Sequence, residues 1–304
     1  MKLKSFLYTG LFVLAASSAY AQANILNAKI PEEIGMKTEA ELLLDNDKPL
    51  EYGYVGDRDI LFSKMTWEKV VLDERVNFPL YFPVEGNLGD DRKSLYQVLK
   101  ENLDSGMISK VYADSYFTEE RTLKDLESAL TASRITDAGI DYMNANGVGE
   151  DELPEEYVIR KDIEPADINS YLIKGLWYFD KRQGELKYRI LGIAPAAPDV
   201  QLLVQGGELS ETNEPIPMFW VFFPEVRDIL HEAKAFNNAN SASPISFDHL
   251  LNSRRFHGII YKEENVYGDR EVKEYVADNA LMQLLESERI KDKIRDFEQD
   301  MWSY

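Results

Sequence analysis

The sequence has no cysteine among its 304 residues. Disulfides are therefore excluded, and stability must come from a packed core, which a chain of this length can build. Anchoring through an acylated cysteine is excluded as well. Histidine is scarce. His231, His249 and His257 show neither H-x-x-x-H nor H-E-x-x-H spacing, so no zinc site is readable. There is no G-x-S-x-G elbow, no P-loop and no G-x-G-x-x-G, and Gly206 and Gly207 stand as a lone glycine pair in a polar loop. Basic residues number 34 against 54 acidic ones, a net charge of −20 at pH 7. That balance speaks against nucleic acid, whose affinity comes from lysine and arginine meeting phosphates. It speaks equally against an anionic membrane surface, and its ordinary consequence is solubility. With so many acids, two that lie near each other carry no information about a carboxylate pair. No catalytic, cofactor-binding or metal-binding residue is assigned, no cofactor is expected, and the chain does not read as an enzyme.

Long apolar runs are also lacking, except at the start. Lys2 and Lys4 precede an apolar stretch from Phe6 to Ala16, and small residues end in Ala19-Tyr20-Ala21. This is the pattern of a secretory signal peptide over 1–21, cut after Ala21. The apolar stretch falls short of the roughly 20 residues a membrane span needs. Cleavage removes two lysines and no acid, so the mature 283-residue chain carries −22. The expected location is outside the cytoplasm.

Residues 22–56 read as a weakly ordered leader, either a loose terminus or an arm that docks on a neighbour. The rest, 57–304, reads as one α+β domain with two lobes, 57–143 and 170–304, joined by an acidic loop. In the first lobe, Ile60, Lys64, Trp67 and Val71 share a helical face, so a helix is expected near 59–71, although the stretch also alternates. Residues 78–83 (FPLYFP) read as extended and proline-bounded. Helical stripes follow at 94–103 and 123–130. Residues 144–169 read as a hinge, with the acidic run EDELPEE at 150–156 as a solvated loop. In the second lobe, Tyr171–Phe179 and Leu186–Ile193 flank a turn containing Gly184, which is a hairpin. Residues 218–223 (MFWVFF) read as a third strand of the same sheet, and 224–235 as a short helix begun by Pro224. The fold expected is an antiparallel sheet around a hairpin, flanked by helices, with a long C-terminal helical stretch. That last stretch carries two stripes, Leu281/Leu284/Leu285 and Ile290/Ile294/Phe297/Met301. The step from Leu285 to Ile290 turns the face, so the helix is expected to break near Ser287 or change partner there.

Two segments stand out as candidate interfaces. Residues 218–223 are apolar on both faces, with Trp220 and Phe222 on one of them. Such a segment is either covered on both sides within the fold or covered on one side by another subunit. In the last helix Arg289, Lys291, Lys293 and Arg295 cluster, interleaved with acids. They form either a solvated face with local ion pairs or a basic patch that receives an acidic face of another copy.

Several blocks, in order along nearly the whole mature chain, resemble the GldN/PorN family. They are DRDILFSK at 57–64 with Trp67, NFPLYFP at 77–83, YRILGIAP at 188–195 and MFWVFFP at 218–224. RRF at 254–256, IYKE at 260–263, NVY at 265–267, DRE at 269–271 and LLESERI at 284–290 follow, running on to Phe297, Met301 and Trp302. The resemblance implies a periplasmic protein of the Bacteroidota. It implies a non-catalytic ring subunit of the type IX secretion system, which exports proteins across the outer membrane and supports gliding in some species. The implied partners are an outer-membrane lipoprotein of the GldK/PorK type, an inner-membrane-anchored GldM/PorM component and further copies of the chain. The residues alone leave a competing reading, a periplasmic solute-binding protein or hydrolase with an acidic site.

Overall fold

The computed structural model describes residues 48–85, 92–147, 149, 153–204, 214–237, 245–277 and 279–302. The expected signal peptide, positions 22–47 of the leader, part of the acidic run (150–152) and the Gly206–Gly207 pair lie outside these residues. In chain order the elements are β1 (Ile60–Val71), α1 (Phe78–Tyr81), α2 (Leu95–Asp104), α3 (Leu123–Leu130), β2 (Thr131–Ile135), α4 (Asp137–Asn146) and β3 (Val158–Asp162). Then come β4 (Ser170–Asp180), β5 (Glu185–Ala197), α5 (Val200–Val204), β6 (Ile216–Pro217), β7 (Val221–Phe222), α6 (Phe223–Glu232) and β8 (Lys234–Ala235). The chain closes with β9 (Ile245–Ser246), α7 (Phe247–Asn252), β10 (Ile259–Glu263), α8 (Val272–Tyr275) and α9 (Ala280–Trp302).

The main sheet has the order β10-β1-β4-β5, antiparallel throughout, with β6 and β7 both pairing with β5. Between β10 and β4 lies β1, the segment whose spacing favoured a helix. The alternation in that segment prevails because both neighbours need it: Thr66, Glu68 and Val70 are buried on one face, while Trp67 is buried on the other. The β4–β5 hairpin forms as its sequence implies, turning at Gly184 with a left-handed φ of 67°. One face of the sheet shares its core with α2, α6 and α7, through Val70, Tyr171, Ile173, Ile193, Leu99, Phe223 and Phe247. Helix α2 starts where Ser94 accepts the amide of Gln97, and α3 where Thr122 and Asp125 form a reciprocal cap. The mixed α+β architecture is the one the sequence implies.

Four local expectations change. Residues 78–81 form a helical turn, because Pro79 suits a helix start; only Phe82, ahead of Pro83, is extended. The 144–169 stretch is partly regular: α4 runs through Asn146, and β3 pairs with β2. The strand expected over 218–223 joins the same sheet, but only as the two-residue β7, since α6 begins at Phe223. Helix α6 ends at Glu232 instead of running to 235, and Lys234–Ala235 pair with Ile245–Ser246.

Candidate functional site

The sheet carries buried charge that sequence reading missed. Glu68 has no exposed surface, and Arg254 meets it with two parallel bonds of 3.0 and 2.9 Å. Arg254 lies over the rings of Tyr188 (4.1 Å) and Trp177 (4.7 Å) and holds a left-handed φ of 52°. On the other face Trp67 stands between Lys174 on β4 and Lys262 on β10. Lys174 Nζ donates to the Ser115 carbonyl at 2.8 Å and lies 4.6 Å from the Tyr116 ring, with Lys262 5.0 Å from the same ring. Burial, reinforced by Lys262, holds the Lys174 ammonium below the usual lysine range. Tyr116 closes this group by donating to Asp269 at 2.9 Å. In a second buried ion pair Arg227 meets Asp248 at 2.8 and 3.1 Å; the same guanidinium donates to the Leu50 carbonyl and lies 4.1 Å from the Tyr52 ring. These charges are engaged by partners of the same chain. What they do is hold strands and loops together, and only the folded register brings them within reach of one another.

Trp220 is 3 % exposed and packs with Trp67 and Ala194. Its backbone exchanges two 2.8 Å bonds with Tyr112, so the 110–120 loop covers it within the chain. Phe222 is half-buried and meets Phe117 edge-on at 5.2 Å. Of the two readings of this segment, coverage within the fold is the one the packing matches at Trp220.

Helix α9 is continuous from Ala280 to Trp302, with no break at Ser287. Its packed side is a single seam. Gln283 donates to the Val276 carbonyl at 2.9 Å, and the fully buried Ser287 accepts the Ile260 amide at 2.8 Å. Ile290 and Ile294 then pack with Ile260 and Val272, and Phe297 stacks on Phe62 at 4.2 Å. Positions 283, 287, 290, 294 and 297 step by four and three, the spacing of one helix face. Polar Gln283 and Ser287 continue the seam that the sequence marks only by its isoleucines. Leu281 (65 % exposed), Met282 (52 %), Leu284 (40 %) and Leu285 (54 %) lie off it.

Of the four bases on this helix, Arg289 pairs with Glu286 at 2.5 Å, Lys291 with Glu288 at 2.9 Å and Arg295 with Asp292 at 2.5 Å. Lys293 lines a shallow groove of about 390 Å³ together with Arg289, Asp292, Asp296, Phe297 and Asp300. Residues 286–300 hold six acids against four bases, so the helix is locally acidic despite its cationic run. The structure thus brings Arg289, Lys291, Lys293 and Arg295 together on one helix and places Phe222 in β7, with Trp220 just before that strand.

Among the described residues no group of three or more histidine, aspartate or glutamate side chains is placed to hold a metal ion. Among the same residues no helix is long and apolar enough to cross a membrane. Compared with known families, residues 55–303 match the one described as Gliding motility associated protein GldN. No curated protein matches the chain.

Proposed function

The chain belongs to the GldN family of gliding motility associated proteins, and from that membership we propose that it is a non-catalytic structural subunit of a periplasmic ring complex. In this reading the complex is part of the type IX secretion system, exporting proteins across the outer membrane and supporting gliding. The family match over 55–303 is the observation that carries the proposal. The side chains add support. The buried charges are spent on intrachain bonds, whereas a run of apolar residues on α9 is left facing outward. That distribution suits a part that is assembled with others.

The signal peptide delivers the chain to the periplasm. Without a cysteine to acylate, it is held at the outer membrane by a lipoprotein of the GldK/PorK type, and a GldM/PorM component joins the complex. A ring repeats one head-to-tail contact, so each copy presents two different surfaces. The test is the size of the mature protein, alone and co-expressed with its lipoprotein partner. A large complex is expected in the second case. A small particle in both would overturn the proposal and fit a solute-binding protein or hydrolase instead.

A further inference from the structure

We propose that the first two turns of α9 are a docking site for a protein other than this chain, one that presents an apolar surface rimmed by lysine or arginine. The proposal deepens the assembly reading and rests on it for biological context. A helix that is apolar on all sides is ordinarily buried. Over 281–285 the helix is apolar at every position but Gln283, and Gln283 is the one that turns inward to the Val276 carbonyl. Leu281 and Leu285 point away from the seam formed by Ser287, Ile290 and Ile294, because they lie roughly 145° or more from its centre at 100° per residue. Packing within the chain therefore leaves Leu281, Met282 and Leu285 more than half exposed and covers Leu284 only in part.

Their exposed area is on the order of a few hundred Å², the size at which an apolar patch marks an interaction site. A stable interface takes about 800 Å² per partner, so the patch forms the centre of a contact and its surroundings form the rim. Those surroundings are acidic. Glu274 precedes the patch; Glu286 and Glu288 follow it. Glu286 and Glu288 are each paired with one cation, Arg289 and Lys291, so the acidic excess rests on Glu274 and on Glu214 and Glu271, which share Lys273. A second copy, at net charge −20, would bring like charge to this rim. Charge complementarity therefore selects a different protein with a basic rim around an apolar centre.

The experiment places the photo-crosslinker p-benzoylphenylalanine at position 282 of the full chain, in the cells that make it. The expected product is one adduct with a different protein, mapped to an apolar segment flanked by lysine or arginine. Its yield should fall about 10-fold or more in the Leu281→Asp/Leu285→Asp variant and should fall as salt rises. Circular dichroism of that variant should match wild type, since both positions face outward. An adduct between two copies, an adduct indifferent to the double substitution, or no adduct at all would overturn the proposal. The size of the wild-type complex, measured in parallel, judges the assembly reading separately. A large complex that survives the double substitution rejects this surface but not assembly, while a lone wild-type particle that still gives the expected adduct rejects assembly but not this surface.

Discussion

Glu68 and Arg254 form the buried contact most exposed to a single change. A carboxylate with no solvent contact is tolerable only while its partner stays in place. Arg254→Met leaves Glu68 buried and unpaired, and a loss of about 3–5 kcal/mol is expected from urea denaturation. The double variant Glu68→Leu/Arg254→Met should recover much of that loss, because no charge is then left buried. A single variant as stable as wild type would mean that Glu68 is not confined as described. Asp269 offers a pH test. Burial raises its carboxyl pKa, but the Asn265 amide, the Tyr116 hydroxyl and the nearby lysines outweigh that and hold it below the usual range. A depressed carboxylate contributes stability above its unfolded pKa of about 3.9, and the contribution disappears as pH falls through the folded value. Asp269→Asn keeps a residue that accepts the left-handed φ of 58°. The variant should melt lower than wild type at pH 7, with the gap closing toward pH 3. An equal gap at both would show that the charge is irrelevant. None of these contacts was legible in the sequence, because Glu68 and Arg254 lie 186 positions apart and Tyr116 and Asp269 lie 153 apart.

Among the elements, α9 shows what periodicity reveals and what it hides. Its helicity was readable, and Ile290, Ile294 and Phe297 marked the packed face. The continuation of that face through Gln283 and Ser287 was not, since a polar residue joins a seam only if the opposing backbone supplies its hydrogen-bond partner. Ser287→Ala removes the acceptor for a buried amide and is expected to cost about 1–3 kcal/mol. Hydrogen exchange at the Ile260 amide should accelerate in this variant; unchanged exchange would mean that the bond does not hold α9 to β10. Within the sheet, a Cβ on Gly175 would sit 2.1 Å from Tyr188 Oη. Gly175→Ala should therefore destabilise by about 3 kcal/mol or more, seen as a lowered thermal midpoint. A neutral result would require Tyr188 to move out of a buried site. Helix or strand at 60–71 was undecidable locally because both periods fit; pairing with β4 and β10 decided it.

For the whole molecule, the balance of charge on α9 sets the expectation for assembly. Arg289→Glu/Lys293→Glu places new acids beside Glu286 and costs the helix only a few tenths of a kcal/mol, roughly 0.2–0.5 per pair. With three of its four bases paired inside the helix, this double reversal should leave the assembled fraction near wild type by sedimentation. Loss of assembly from a normally folded variant would identify the basic cluster as the contact. Mass spectrometry of the exported protein should find Gln22 at its start, and an intact Met1 would remove the periplasmic placement.

The sequence by itself determined the acidity, the absence of disulfides, the α+β class, the β4–β5 hairpin and the family resemblance. Each of these is encoded locally or by composition, in a turn glycine, a run of apolar residues, or ordered blocks of residue identity. The tertiary structure decided the rest. It made β1 an inner strand between β10 and β4, paired Trp220 with Tyr112 and turned Leu281 and Leu285 outward. Those outcomes depend on which segment lies opposite, and contacts between separate elements leave no periodic trace in either partner.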